Sequence, residues 1–235
     1  LEGVDRENRQ ITLAPLLDED GSELIARHQI RYDWLVIAVG SVSNDFGTPG
    51  VAQHCMFLDS REDADRFRNR LLDHCLRVSR TMTTGAATDA RVRVAIVGGG
   101  ATGVELAAEL YNSASALGYY GLEVFDESRL EVTLIEAGPR ILPALPDKLA
   151  EAARSELEAL GVTVLEGMRV TEAQRRTLVT ATGAPIEADL LVHVRDLSHP
   201  DIEAQASDVE AILRSLGVLE GEGRVPMIEA LNKAD

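Results

Sequence analysis

The stretch that decides the fold is "VAIVGGGATGVELAAEL", residues 94–110. A short apolar run, three glycines and a run of good helix formers describe a strand, a tight turn and a helix, in that order. Gly98, Gly100 and Gly103 make the spacing G-x-G-x-x-G. The first glycine permits a sharp turn, the second leaves room for a pyrophosphate to approach the backbone, and the third lets the helix pack on the strand. The helix start adds free N–H groups and the positive end of a dipole. Alone the motif is weak evidence. Set between a strand and a helix, it predicts a dinucleotide site on Gly98, Gly99, Gly100, Ala101, Thr102 and Gly103.

Working outward, we expect a strand at 92–97, a helix from about Thr102 to Leu117 and a second strand at 130–135. "LEVTLIE" (130–136) ends on Glu136, where a carboxylate accepts hydrogen bonds from the adenosine ribose hydroxyls. The same charge repels a 2′-phosphate, so the expected cofactor is NADH rather than NADPH. The alternative reading makes Glu136 a solvated charge at a strand end. Its distance from Gly103, 136 − 103 = 33 residues, exceeds the usual gap because "NSASALGYYGLEVFDESR" (112–129) lengthens the connection.

Upstream, residues 1–33 alternate short apolar stretches with turn clusters and read as hairpin strands. "YDWLVIAVGS" (32–41) reads as a buried strand entering a tight turn. Ser60 can cap a helix over 60–80, with Ala64, Phe67, Leu71, Leu72 and Cys75 on one side, and "TMTTGAATDA" (81–90) reads as a linker. Downstream, "DKLAEAARSELEALG" (147–161) predicts a helix closed by Gly161, with Leu149, Ala153, Leu157 and Leu160 inward. Short strands follow at 162–165, 176–180 and 186–194, then a helix at about 201–216. Strands alternating with helices predict an α/β chain with a parallel, doubly wound sheet.

Composition excludes several classes. A net charge of −16 opposes nucleic-acid or anionic-membrane binding by the bulk of the surface. The apolar runs are strand-length, well short of the roughly 18 residues of a membrane helix, and no secretory signal stands at the start. Cys55 and Cys75 form no C-x-x-C and suit a reduced, cytoplasmic setting. His193, His199 and Asp196 could suggest a metal site, but they read as structural polar residues, so no metal is expected.

From about residue 1 to 190 the chain resembles a type II NADH dehydrogenase. The resemblance rests on "YDWLVIAVGSVSNDFGTPGV" (32–51), the glycine loop, the long connection after its helix and "VTLIEAGPRILP" (132–143). It implies a two-dinucleotide-binding-domain flavoprotein that passes hydride from NADH to FAD and electrons to quinone. Such enzymes lie peripherally on the inner face of the cell membrane. It also implies that Ala38, Gly40 and Ser41 lie beside FAD, and that Glu105 sits where the nicotinamide meets the flavin. The competing reading of Glu105 is a first-turn acid stabilised by the helix dipole. The family's first glycine loop, its later Gly-Asp flavin motif and its C-terminal docking helices have no counterpart here. The FAD site is therefore expected to be incomplete, and the chain alone inactive and colourless.

After "IEADLLV" (186–192) a different resemblance begins. "HVRDLSHPDIEAQ" and the terminal "EALNKAD" (229–235) are similar to the G domain of HflX-type ribosome-associated GTPases. That resemblance implies that Asn232, Lys233 and Asp235 form the guanine-reading N-K-x-D motif. The only lysines are Lys148 and Lys233, and neither follows a P-loop, so GTP hydrolysis is not expected. The expected organisation is a partial FAD-binding domain and linker at 1–90, a Rossmann-like NAD-binding domain at 91–190 and a GTPase-like tail at 191–235. The runner-up function is a fragment of a GTP-binding protein acting at the ribosome. The start on Leu1 and the ending on a mid-domain motif suggest a fragment at both ends, and the two resemblances meeting at "IEADLLV" suggest a chimeric chain.

Overall fold

The computed structural model describes residues 1–18, 20–36, 43–86, 89–117 and 125–194. These fall into two compact units, 1–36 and 43–194. In the first, β1 (Gly3–Asp5), β2 (Gln10–Leu13) and β5 (His28–Arg31) make an antiparallel sheet in the order β1-β2-β5. β3 (Leu16–Leu17) and β4 (Glu23–Ile25) pair as a separate hairpin. The expected hairpin strands are present. The expected buried strand at 32–41 is not seen in its described part: residues 32–36 are irregular, and Trp34 and Val36 are 92% and 84% exposed. The remainder of that stretch lies outside the described residues.

The second unit holds α1 (Val51–His54), β6 (Met56–Phe57), α2 (Arg61–Thr83), β7 (Val92–Val97), α3 (Ala101–Leu117) and β8 (Leu130–Ile135). It continues with α4 (Asp147–Leu160), β9 (Thr163–Leu165), β10 (Val170–Gln174), β11 (Thr177–Thr180), β12 (Ile186–Glu187) and β13 (Leu190–His193). A five-stranded parallel sheet runs β6-β13-β7-β8-β9. Two β–α–β crossovers, through α3 and α4, build the β7-β8-β9 side. This is the α/β, Rossmann-like fold expected from the sequence.

Two details differ from expectation. The sheet is not wound by helices on both faces. Val92, Val94 and Ile96 of β7 face a core shared with α2, α3 and α4. Ala95 faces the other way, onto Ala173, Leu178 and Ala188 of the antiparallel sheet β10-β11-β12 and its surroundings. β10 escapes a pattern reading because "VTEAQ" is polar and buries chiefly Ala173. The second compact unit also takes in β6 and α2, upstream of residue 91. β6 pairs with β13, and Phe67, Cys75 and Val78 of α2 sit in the helical-side core, so the stretch 43–83 belongs to the second unit.

The helices show why each starts and stops. Ser60 and Asp63 form a reciprocal capping box: Asp63 N–H donates to Ser60 Oγ and Ser60 N–H to Asp63 Oδ2, each at 3.1 Å. The helix then continues to Thr83, three residues into the expected linker. Gly161, with φ 103°, closes α4 as expected. The buried stripe of α4 is rotated from the expected one. Ala150 and Leu157 are buried, whereas Leu149 and Leu160 are exposed. Because only one side of α4 reaches the sheet, its stripe is narrower than the sequence periodicity suggests. Tyr111 fastens α3 to the end of α4 by donating to Gly161 O at 2.9 Å.

Candidate functional site

β7 delivers the glycine loop to the carboxyl edge of the parallel sheet, and α3 leaves from it. Gly98 has φ 119°, and a Cβ there would stand 2.5 Å from Val194 O. A Cβ on Gly103 would stand 1.9 Å from Gly98 O. The first glycine thus makes the turn and the third allows the helix to touch the strand. The peptide N–H groups of Gly100, Ala101, Thr102 and Gly103 have no acceptor among the described residues. Four donors converging at a positive helix end form a cradle suited to an anion.

Glu136 caps β8 beside this cradle. Its Oε2 accepts Gly99 N–H at 2.7 Å, and its Oε1 accepts Gly138 N–H at 2.5 Å. The carboxylate is therefore locked to the glycine loop rather than free in solvent, while carboxylate oxygens retain further acceptor capacity. The residues after it form a brace. Leu142 N–H donates to Gly99 O at 2.8 Å, and Ile141 is fully buried. Arg140 donates to the carbonyls of Leu142, Pro143 and Leu145, holding the turn before α4.

Sequence reasoning missed Glu166, which accepts Ile141 N–H at 2.8 Å and an Arg154 guanidinium N–H at 2.6 Å. It has no motif, and its role depends on β9 lying beside β8. The Arg140 brace sits inside "VTLIEAGPRILP", where the arginine between two proline-containing turns is the available signal.

Glu105 is exposed on α3 and lies beyond its first turn, which contains no acid. The dipole reading of Glu105 is therefore corrected. Ala38, Gly40 and Ser41 lie outside the described residues, as do Asn232, Lys233 and Asp235 with the whole stretch 195–235. Burial pushes the Cys55 thiol up to about 11 and the Cys75 thiol up to about 12. Neither is a ready nucleophile, because the thiolate is the reactive form. Among the described residues no three of His, Cys, Asp and Glu gather as metal ligands.

His193, the last residue of β13, is buried beneath the edges of Phe46 and Phe57, with ring centroids at 6.4 and 5.5 Å. Its Nε2–H donates to Asn44 O at 2.8 Å. Burial outweighs this bond and the nearby Asp45 and Asp59, and lowers its pKa. Burial first, and then neighbouring arginines, lower that of His74 too. Both folded values lie below the unfolded one, so the stabilisation is complete above about pH 6.5 and is lost as pH falls through the folded values. Thermal melts across that window are expected to show declining stability below about pH 6.5 and a shallower decline in His193→Phe. An unchanged slope in the variant would remove His193 from the account.

The model of the pyridine nucleotide-disulphide oxidoreductase family matches residues 2–194. The type II NADH:quinone oxidoreductase of Haemophilus influenzae is 43% identical over 88% of this chain and 49% of its own length. An external alternative NAD(P)H-ubiquinone oxidoreductase B1 of Solanum tuberosum is 32% identical over 78% of this chain and 32% of its own. The chain thus spans at most about half of these curated relatives. Among solved structures, NDH2 of Plasmodium falciparum in complex with NADH superposes with TM-score 0.59 and 22% identity, covering 83% of this chain and 39% of that one. A ferredoxin reductase from Rhodopseudomonas palustris gives TM-score 0.54 at 22% identity, over 87% and 42%. These two likenesses speak for the fold.

Proposed function

The chain belongs to the pyridine nucleotide-disulphide oxidoreductase family, and we propose that residues 91–190, with β6 and α2 packed against them, are the NADH-binding part of a flavin-dependent NADH:quinone oxidoreductase. The observation that carries this reading is the open N–H cradle after β7, tied through Gly99 to Glu136, whose other oxygen holds Gly138. The cradle takes the pyrophosphate on Gly98, Gly99, Gly100, Ala101, Thr102 and Gly103, and Glu136 accepts the adenosine ribose hydroxyls. Glu105, two residues further along α3, is the proposed neighbour of the nicotinamide. Ala38, Gly40 and Ser41 are the proposed flavin neighbours. Bound flavin would supply the hydride acceptor, while this chain's residues hold and orient the NADH. The relatives' names support quinone as the electron acceptor, and the resemblance alone supports a peripheral place on the inner face of the membrane. No helix among the described residues is long and apolar enough to cross a bilayer.

Within this reading 1–90, 91–190 and 191–235 keep their proposed identities as flavin-side, NAD-binding and HflX-like segments, with β6 and α2 contributing to the NAD-binding unit. The GTPase-like character of 191–235, and hence a chimeric chain, rests on the D-x-S-H-P and N-K-x-D motifs alone. The test is a titration of the chain with NADH, NADPH and GTP, following nicotinamide fluorescence and, for GTP, heat. Saturable NADH binding tighter than NADPH is expected. NADPH binding equally tightly would overturn the role of Glu136, and binding of GTP alone would overturn the oxidoreductase reading.

A further inference from the structure

At the opposite edge of the parallel sheet from the glycine loop lies a second recess, of about 450 Å³. Met56 and Leu190, the first residues of β6 and β13, lie at its floor with Leu191. We propose that this recess is a binding site for a ligand carrying phosphoryl groups, held by Arg70, Arg77, Arg175 and Arg176 with His54 and His74.

Three elements bring these side chains together. α2 presents Arg70, His74 and Arg77 at i, i+4 and i+7, a spacing that keeps them on one stripe. The two-residue turn between β10 and β11 is Arg175-Arg176, and α1 adds His54. The turn is built at a conformational cost. Arg176 has φ 64°, in the left-handed region that glycine or asparagine ordinarily fills. Two bonds hold it there: its guanidinium pairs with Asp189, and Ala188 N–H donates to its carbonyl at 2.9 Å.

The charge balance points the same way. The chain carries 39 acidic residues against 23 lysines and arginines, so partners for arginine are plentiful. Yet Arg70, Arg77 and Arg175 have no carboxylate within ion-pair distance among the described residues. The acid lining the recess, Asp189, is engaged by Arg176 and by Arg93 N–H at 2.9 Å. Asp73, next along α2, opposes the arginine charges felt by His74 but does not cancel them. Burial first, then Arg77, Arg176 and Arg70, disfavour the protonated imidazole. Guanidiniums from two elements thus line one recess with this imidazole, a gathering of like charge that an oxyanion relieves. The volume lies in the range of small-molecule sites and exceeds what a single ion needs.

The test is calorimetric titration of inorganic pyrophosphate into the chain saturated with NADH, which occupies the glycine loop. Saturable binding near one equivalent is expected, weakened at least tenfold in Arg70→Gln/Arg77→Gln and several-fold in Arg175→Gln, which alters an exposed turn side chain and leaves the helix intact. Arg61→Gln, elsewhere on α2, is expected to bind like the parent. A second arm is co-sedimentation with phosphatidylglycerol vesicles against phosphatidylcholine ones. Vesicle binding lost in the double variant assigns the phosphoryl groups to lipid headgroups, and pyrophosphate binding alone assigns them to a soluble ligand. Absence of both, or binding that the substitutions leave unchanged, overturns the site. The contrast between parent and variants does not depend on the NADH reading, so failure of one leaves the other standing.

Discussion

Replacing Gly103 with alanine is expected to abolish saturable NADH binding and to lower the melting temperature by roughly 2–12 °C. Intrinsic propensity argues the other way: inside a helix, alanine is better than glycine by up to about 1 kcal/mol. The geometry at Gly103 decides against it. The added methyl would lie 1.9 Å from Gly98 O, a backbone atom that cannot rotate aside, and 3.2 Å from Val194 Cγ2. Either α3 lifts from β7 or the glycine turn opens. Overpacking of this kind costs about 2–3 kcal/mol, which outweighs the propensity gain. Both adjustments displace the N–H groups of Gly100 to Gly103 from one another, and a cradle whose donors no longer converge loses its anion. The control is Gly3→Ala, where nothing lies within 4 Å of the added atom. Thermal melts and nicotinamide fluorescence on the two variants check the result. A Gly103→Ala chain that melts and binds like the parent would show that the loop tolerates a strand–helix separation denied here.

The same loop shows what can be read from letters and what cannot. From Val94 on β7 is buried on both faces, so "VAIV" betrays itself as a continuous apolar run, and the glycine spacing is local in the chain. α2 was legible because its capping box is local too. The losses came where long-range pairing decides. β10 is polar, and only its antiparallel partner β11 makes it a strand. β6 is two residues long and joins the sheet by pairing with β13, far along the chain. Hence the packing of β6 and α2 with the second unit was not legible locally. At the site, Glu136 was legible as a strand-end acid, but its grip on Gly99 and Gly138 was not. Nor was Glu166, whose two bonds join a loop and a helix distant from it in sequence. The recess with Arg70 and Arg175 follows the same rule: each arginine looks like an ordinary surface charge until the fold gathers them.

Glu136→Ala is expected to weaken NADH by about 10–150-fold while weakening NADPH much less, so that the preference between them nearly disappears. The magnitude follows from what the carboxylate does. Hydrogen bonds to a charged group are worth about 1.5–3 kcal/mol, and the proposed ribose contacts are of that kind. Two further bonds, from Gly99 of the loop and Gly138 of the turn after β8, join the two at 2.7 and 2.5 Å. Their loss loosens the cradle for both cofactors alike, since both carry the same pyrophosphate. The charge acts on only one of them. A 2′-phosphate brought beside Glu136 meets a like charge, and removing the carboxylate relieves that repulsion. A merely structural Glu136 therefore gives parallel losses, whereas a cofactor-reading Glu136 gives divergent ones. Glu136→Gln separates the contributions further. It keeps one acceptor oxygen and turns an amide N–H₂ toward one of the two glycine N–H groups, so the loop is partly held while the charge is gone. Its NADH affinity should fall between those of the parent and the alanine variant, with the NADPH penalty already reduced. Fluorescence titrations of the three chains with both cofactors measure this, and equal fold-losses for NADH and NADPH in Glu136→Ala would leave the glutamate with a structural duty alone.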